Sequence, residues 1–236
     1  MSESRLIRLA PSAALKEKRL AALLAERGGH QGLVTEQVQD AQLLGSLELA
    51  GFSLSWEEIK ASRQGGGPTQ DAARCLRRAQ ATAATAQGPS VDDLMTWHAE
   101  VTGTASLLRT GPRERVGGPP ASPPEFVRPR LESLVHWLTS ESGLELRAAQ
   151  RGALGLARLV EILPFDDANG RVSRLLASHL MTRAGARPPI LVGADRPRLD
   201  QCLAAAFRLV VEPLTALLEE ASERALDVAL QTLERS

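Results

Sequence analysis

Residues 163–174 read LPFDDANGRVSR and lie between two apolar stretches of helical character. Within this run, Ala168-Asn169-Gly170 consists of small and turn-forming residues that lead into the second stretch. The first turn of a helix leaves backbone N–H groups without intrahelical partners at the positive end of the helix dipole. Helix starts of this kind bind anions, and phosphate groups in particular. The run therefore predicts an anion site between two helices.

Two arginines follow this turn in positions that suit a polyphosphate. Arg171 and Arg174 are three residues apart and so share one face of the predicted helix. Guanidinium groups bind phosphate oxygens strongly, and the nearby carboxylate of Asp167 could hold Mg²⁺ against the same phosphates. A structural alternative stays open, because Asp and Asn are common in turns and both arginines could pair with acidic residues of a neighbouring helix.

The composition predicts an all-α protein. Of the 236 residues, 43% are hydrophobic and only 3% are aromatic, with no Tyr. The abundant Ala, Leu, Arg and Glu favour helix. Ser55 and Ser90 have the type and position of helix N-caps. Apolar residues recur at helical spacing over residues 13–26, 36–49, 69–86, 131–138, 144–162, 171–183 and 198–233, the last with a break near Pro213.

Charge and apolar runs exclude several classes of partner. Lys plus Arg and Asp plus Glu both number 28, so no overall field attracts nucleic acid or an anionic membrane. No run approaches the ~18 apolar residues of a membrane span, and the N-terminus lacks the apolar centre of a signal peptide. Cys75 and Cys202 have no metal-binding spacing. We expect a cytoplasmic protein without nucleic-acid or membrane partners.

Two segments have the composition of loops. Residues 63–68 contain three glycines and a proline, which predicts a surface loop. Residues 103–124 are rich in glycine and proline and carry only short apolar pieces. This second segment predicts a small β-hairpin or an extended flap.

Residues 163–174 resemble the Fic signature HPFx[D/E][G/A]NGRxxR at every specified position except the first, which is Leu163. Residues 92–103, DDLMTWHAEVTG, resemble the family's LxxLHxxLxxG helix, with Trp97 and Val101 in place of leucines. Residues 109–116 resemble its variable flap. Residues 123–138 resemble its PPxxVxxLMxxLxxWL segment with a slip of one residue. The resemblance extends over residues 90–206.

The resemblance implies a Fic-type helical bundle with a small β-hairpin flap that transfers AMP from ATP to a hydroxyl group of a target protein. It also implies three regions: an N-terminal helical region at 1–88, a Fic-like core at 89–206 and a C-terminal helical extension at 207–236. Carried over by position, Asp167 would hold Mg²⁺. Phosphate contacts to ATP, or to another nucleotide, would come from Asn169, Gly170, Arg171 and Arg174.

Leu163 departs from the family at the position of the catalytic histidine, so no catalytic residue is intact there. In the family this histidine takes the proton of the attacking hydroxyl, and an aliphatic side chain cannot accept one. Loss of a general base typically slows a reaction by ~10²- to ~10⁴-fold. A substitute base stays possible from sequence alone, the candidates being Glu161, Asp166, His98, His136 and His179.

A second departure lies in residues 46–51, SLELAG, which resemble the family's inhibitory pattern [S/T]xxxE[G/N]. Ala50 occupies the position of the inhibitory glutamate, so Arg174 would lack that partner. Glu48 would project from a different face of the helix and is not expected to replace it. Alternatively, this stretch is only an amphipathic helix that ends at Gly51.

The leading hypothesis is a Fic-fold protein that still binds a nucleotide but has lost ordinary AMP transfer, and that acts through an unknown target or regulatory protein. One alternative is an active transferase with a non-standard base or donor. Another is a non-catalytic interaction module. Leucine-rich helix faces also leave a homodimer possible.

Overall fold

The computed structural model describes residues 11–64, 68–114 and 119–235, and these ranges fold into α-helices joined by irregular segments. The predicted all-α class is confirmed. In chain order the helices are α1 (Pro11–Glu26), α2 (Gln31–Glu48), α3 (Trp56–Ala61), α4 (Pro68–Thr85), α5 (Val91–Thr102), α6 (Pro124–Thr139), α7 (Glu141–Leu144), α8 (Ala148–Ile162), α9 (Asn169–Arg183), α10 (Arg196–Ala206) and α11 (Glu212–Arg235).

The two predicted serine caps are present. The Ser90 hydroxyl accepts a hydrogen bond from the Asp93 N–H at 2.9 Å, and the Asp93 carboxylate accepts one from the Ser90 N–H at 2.9 Å. Ser55 and Glu58 form the same reciprocal pair at the start of α3. Each capping box satisfies N–H groups that the helix leaves free. Local sequence therefore determines where α3 and α5 begin.

Helix α6 begins earlier than its periodicity predicts, at Pro124 rather than after Pro129. A proline fits the first helical turn, because the N–H that it lacks has no helical partner there. Pro129 lies inside the helix and removes one hydrogen bond. Burial of Val127 before it and Leu131 after it keeps the helix continuous across this position. Packing here outweighs the local effect of proline.

The predicted β-hairpin flap is not seen, because the described residues between α5 and α6 contain no strand. Residues 115–118, and with them part of the predicted flap, lie outside the described residues. Prolines 112, 119, 120, 123 and 124 cannot donate the hydrogen bonds of a strand ladder. The Arg109 N–H instead donates to the Pro164 carbonyl oxygen at 2.9 Å. The Arg109 backbone thus bonds to the 163–168 loop rather than to a partner strand.

Helices α8 and α9 form the centre of the bundle and are joined by the loop 163–168. They pack closely because a side chain at Gly155 would come within 2.6 Å of Leu180, and one at Gly152 within 2.8 Å of Met181. Leu159, Val172 and Leu176 lie in the same buried cluster. This close pairing fixes both ends of the loop.

Helix α2 packs against the central pair from the N-terminal side, with Leu43 and Leu47 fully buried. A side chain at Gly45 would collide with the Leu191 carbonyl oxygen, so this glycine allows α2 to approach the chain that follows α9. Helices α1 and α11 pack on the outer side, where Leu20 and Leu233 are buried. The packing brings the end of α2 next to α9.

Across the described ranges, none of the helices combines the length and the apolar character that crossing a membrane requires.

Candidate phosphate site at the start of α9

The loop 163–168 contains two non-glycine residues with left-handed backbone conformation. Leu163 has φ 50° and ψ 63°, and Ala168 has φ 59° and ψ 6°. Such residues cost free energy, and they persist where the surrounding structure holds them. Both flank the predicted anion site. The loop thus keeps a strained shape that regular helix packing alone does not require.

Asn169 stabilises the loop from within. Its Nδ2 group donates to the Phe165 carbonyl oxygen at 2.7 Å, and its Oδ1 atom accepts from the Phe165 N–H at 3.0 Å. The side chain is 7% exposed. The bond to Phe165 uses one of the two Nδ2 hydrogens, so the second one and the backbone N–H are the groups with which Asn169 could contact a phosphate.

Phe165 anchors the loop in the core. It is fully buried and stacks on the His98 ring, with a centroid distance of 3.9 Å and an angle of 12°. His98 Nδ1 and the Ser106 hydroxyl form a hydrogen bond at 3.0 Å. Burial lowers the pKa of His98, so its ring is neutral at pH 7. Phe165 and His98 therefore act as a support beneath the loop.

Gly170 lets the Arg174 side chain pass over the start of α9. A Cβ atom at Gly170 would lie 3.1 Å from the Arg174 Nη1 atom. The guanidinium of Arg174 therefore lies beside the first turn, where the N–H groups of the helix are free of intrahelical partners. The helix start and this cation converge, as the sequence predicts.

Arg171 lines the same pocket as Arg174. Its guanidinium donates to the Val101 carbonyl oxygen at 3.3 Å and pairs with Asp167 Oδ2 at 3.3 Å. The group also lies 5.7 Å from the centre of the Phe52 ring. Burial is the main cause that lowers the pKa of Arg171. Its carboxylate partner belongs to the loop itself rather than to a neighbouring helix.

Arg174 bonds to α2 through uncharged groups. Its Nε atom donates to the Ser46 hydroxyl at 3.0 Å, and its Nη2 atom donates to the Ser46 carbonyl oxygen at 2.7 Å. Burial, followed by the positive charges of Arg196 and Arg171, lowers the pKa of Arg174 to about 9. The side chain is still charged at neutral pH. The described ion pairs give this cation no carboxylate partner.

The end of α2 carries the residues of the pattern that resembles the family's inhibitory helix. Ala50 is exposed. Glu48 accepts a hydrogen bond from the Gly193 N–H at 2.8 Å. Glu48 thus has a hydrogen-bond partner on the chain after α9, and its failure to replace the missing glutamate stays a prediction. Ser46, at the start of the inhibitory-like pattern, is the residue that contacts Arg174.

Arg109 is a functional candidate that sequence reasoning missed. It is only 3% exposed. Its Nε atom donates to the Leu163 carbonyl oxygen at 2.6 Å, and its Nη2 atom donates to that of Ile162 at 3.3 Å. Desolvation is the main cause that lowers its pKa. Its partners at the end of α8 are backbone atoms 53 and 54 residues away in sequence, so no local pattern reveals the contact.

The candidate substitute bases occupy different environments. Glu161 pairs with Arg158 on α8. His179 Nδ1 bonds to the Ala83 carbonyl oxygen at 2.9 Å, away from the loop. His136 is exposed on α6, and His98 lies beneath Phe165. Only the exposed Asp166 belongs to the loop itself.

Among the described residues, no group of three or more His, Cys, Asp or Glu side chains could by itself hold a metal ion. The Asp167 carboxylate is 83% exposed, and one of its oxygens faces Arg171 at 3.3 Å. Asp167 is therefore an accessible carboxylate next to the Arg171 cation.

Comparisons with known proteins identify a family domain within the chain. Residues 89–181 match the Fic/DOC family. Protein adenylyltransferase fic-1 of Caenorhabditis elegans is 37% identical over 106 residues, which are 43% of this chain and 21% of that protein. Protein adenylyltransferase Fic of Drosophila virilis is 31% identical over 145 residues, which are 60% of this chain and 30% of that protein. The chain thus spans less than a third of the length of these curated relatives.

Solved structures show the same fold. A fragment of Fic-1 from C. elegans superimposes with a TM-score of 0.76 at 23% identity, covering 94% of this chain and 74% of that one. A Fic-domain-containing signalling protein from Bacteroides thetaiotaomicron superimposes with a TM-score of 0.81 at 16% identity. The superposition covers 95% of this chain and 98% of that one. Residues 89–181, whose last helix begins with the arginine-bearing turn, therefore form a Fic/DOC family domain within this chain.

Proposed function

We propose that the protein binds a nucleotide, with ATP as the first candidate, at the start of α9 and that its AMP transfer is lost or strongly slowed. One observation carries the proposal. Arg174 is charged and partly buried, and its hydrogen bonds to described residues go to the neutral groups of Ser46, while position 163 holds a leucine. An anion is the missing partner of this cation, and a proton acceptor is missing where transfer would need it.

The phosphate chain would lie across the first turn of α9. The backbone N–H groups of Asn169 and Gly170 and the guanidinium of Arg171 would contact the α- and β-phosphates, and Arg174 would contact the γ-phosphate. Charged hydrogen bonds of this kind are stronger than those between neutral groups. Arg174 would exchange the neutral oxygens of Ser46 for phosphate oxygens.

Asp167 would hold Mg²⁺ together with the phosphates. Mg²⁺ in nucleotide sites is commonly bound through one or two carboxylates plus phosphate oxygens and water, so a single exposed carboxylate fits this role. The ion would neutralise part of the phosphate charge. The Arg171 guanidinium at 3.3 Å would keep the carboxylate turned towards the site.

The leucine at position 163 leaves an attacking hydroxyl without a base. Loss of such a base lowers the rate of transfer by ~10²- to ~10⁴-fold, whereas phosphate binding does not require a base. The protein would then act through a bound partner protein, in a nucleotide-dependent way. The curated relatives are named as protein adenylyltransferases, which supports a protein as that partner. We place this activity in the cytoplasm.

Isothermal titration calorimetry with ATP and Mg²⁺ tests the proposal. The wild type should bind, and Arg171→Ala should abolish or strongly weaken the binding because it removes a phosphate ligand and the Asp167 contact. Arg183→Ala is the matched control, since Arg183 is exposed at the far end of α9. Absence of binding to ATP and to a panel of other nucleotides would contradict the proposal.

A further inference from the structure

Arg109 connects two parts of the chain that lie on either side of the loop. Besides the carbonyl oxygens of Ile162 and Leu163, its guanidinium donates to that of Gly111 at 2.8 Å and to that of Ser122. The arginine bracket, as we name it, consists of Arg109 and these four carbonyl groups. It joins residues 109–122 to the end of α8.

The arginine bracket satisfies groups that a helix end leaves free. The last carbonyl groups of α8 have no intrahelical donors, and the negative end of the helix dipole favours a cation there. Arg109 supplies both donors and charge to Ile162 and Leu163. Its own N–H donates to the Pro164 carbonyl oxygen at 2.9 Å. Three consecutive peptide groups are thereby fixed by one residue.

One of the peptide groups that Arg109 holds follows a strained residue, Leu163. Leu163 has left-handed backbone conformation, which is unfavourable for leucine and requires external support. The hydrogen bond from Arg109 Nε to the Leu163 carbonyl oxygen measures 2.6 Å and holds the peptide group that follows this residue. The backbone at position 163 therefore depends on Arg109.

We infer that Arg109 is a positioning residue that couples the segment between α5 and α6 to the backbone at position 163. The consequence of this inference rests on the proposed function. If a nucleotide binds at the loop, its binding changes the conformation of the segment between α5 and α6, and a partner protein bound to that segment changes the conformation of the loop. The coupling itself follows from the arginine bracket. Arg109 acts through Leu163 and touches none of the proposed phosphate ligands in the described contacts.

Arg151 provides a matched control within the same bundle. It is 8% exposed, and burial lowers its pKa as it does for Arg109. Its Nε and Nη2 atoms both donate to the Leu138 carbonyl oxygen near the end of α6, at 3.0 and 2.7 Å. Arg151→Met thus removes a buried guanidinium from a helix end that has no bond to the loop.

Hydrogen–deuterium exchange tests the coupling in the full chain, first without nucleotide. Arg109→Met should speed exchange at least about tenfold in peptides covering residues 105–114 and 162–170, since the loss of bonds that hold both segments opens them locally. Arg151→Met should leave both segments within about twofold of wild type. A change in Arg109→Met that is no larger there than in Arg151→Met would overturn the inference.

The second arm adds ATP and Mg²⁺. In the wild type, nucleotide should slow exchange in both segments, and in Arg109→Met it should slow exchange only in residues 162–170. A purely structural role would not uncouple the two responses. Slowing confined to residues 162–170 in the wild type would overturn the coupling.

Two further outcomes are distinguishable. If Arg109→Met does not fold, Arg109→Lys replaces it, because lysine keeps the charge but cannot reach all four carbonyl groups. Lysine should give an intermediate increase in exchange in both segments, and wild-type exchange would contradict the inference. If calorimetry shows that the wild type binds no nucleotide, the proposed function fails while the first arm still decides the coupling.

Discussion

The two ends of the 163–168 loop differ in the groups that they present. At its start, Leu163 keeps the left-handed backbone but has no group that could take a proton. At its end, the Asn169 amide holds the Phe165 backbone, and Gly170 leaves room for the Arg174 guanidinium beside the first turn of α9. Under the proposed function, the difference would mean that this fold can separate phosphate binding from chemistry. A single side chain at position 163 would carry the reaction, whereas backbone geometry and two arginines would carry the binding.

The backbone at position 163 makes the contrast sharper. Histidine tolerates left-handed conformation better than leucine does. The loop nevertheless keeps this conformation, supported by Arg109 and by the Asn169 amide. The strain is therefore a property of the loop and not of the side chain at its start.

The largest expected effect comes from restoring the base. Leu163→His should raise AMP incorporation from labelled ATP by ~10²- to ~10⁴-fold, onto Ser or Thr of the chain or of a partner. The rate should rise with pH and level off above about 6.5, because only the neutral imidazole accepts a proton. Mass spectrometry of the labelled protein measures the gain. No gain from Leu163→His would show that the loss of function extends beyond one side chain.

The next effect concerns the other end of the loop. Arg174→Ala should weaken ATP binding by about 10- to 100-fold, which matches the loss of charged hydrogen bonds to phosphate. Titration calorimetry measures it, with Arg183→Ala expected to remain within about twofold because surface charges contribute little. Equal affinity in Arg174→Ala and wild type would remove Arg174 from the phosphate site.

A stability change should follow from Asn169→Ala. The Phe165 N–H and carbonyl groups would lose their partners, at a cost of about 2–4 kcal/mol in the free energy of unfolding. Urea unfolding followed by circular dichroism measures it. Asn169→Asp keeps the acceptor but not the donor, so its loss should be intermediate. An unchanged free energy of unfolding would mean that the loop does not depend on this amide.

The smallest effect is expected at Ser46. Ser46→Ala removes one of the two bonds that Arg174 exchanges for phosphate, so ATP should bind about 2- to 5-fold more tightly. Calorimetry against wild type measures the shift. Weaker binding in Ser46→Ala would show that Ser46 aids the nucleotide rather than competing with it.

Much of this fold follows from local sequence. The capping boxes at Ser55 and Ser90 and the break between α10 and α11 are encoded within a few residues, and these predictions are confirmed. The predicted start of α6 was wrong, because burial of Val127 outweighs the helix-breaking effect of Pro129. A local pattern predicts an element well where its determinants are also local.

The candidate site also has a part that is encoded locally and a part that is not. Residues 167–174 are a continuous motif, so the convergence of Gly170 and Arg174 could be predicted. The role of Arg109 could not, because its partners become neighbours only after α5, α6 and α8 pack. A hairpin was predicted from composition, but the Arg109 N–H donates to the Pro164 carbonyl oxygen instead of to a second strand. Contacts between distant backbone atoms leave no pattern in the sequence.

The most direct test compares wild type and Leu163→His for ATP affinity and for AMP transfer in one experiment. The account predicts dissociation constants that agree within about threefold, since position 163 donates nothing to phosphate, together with AMP transfer by Leu163→His alone. AMP transfer by the wild type at the rate of Leu163→His would contradict the central claim. Binding by Leu163→His without binding by the wild type would contradict it as well.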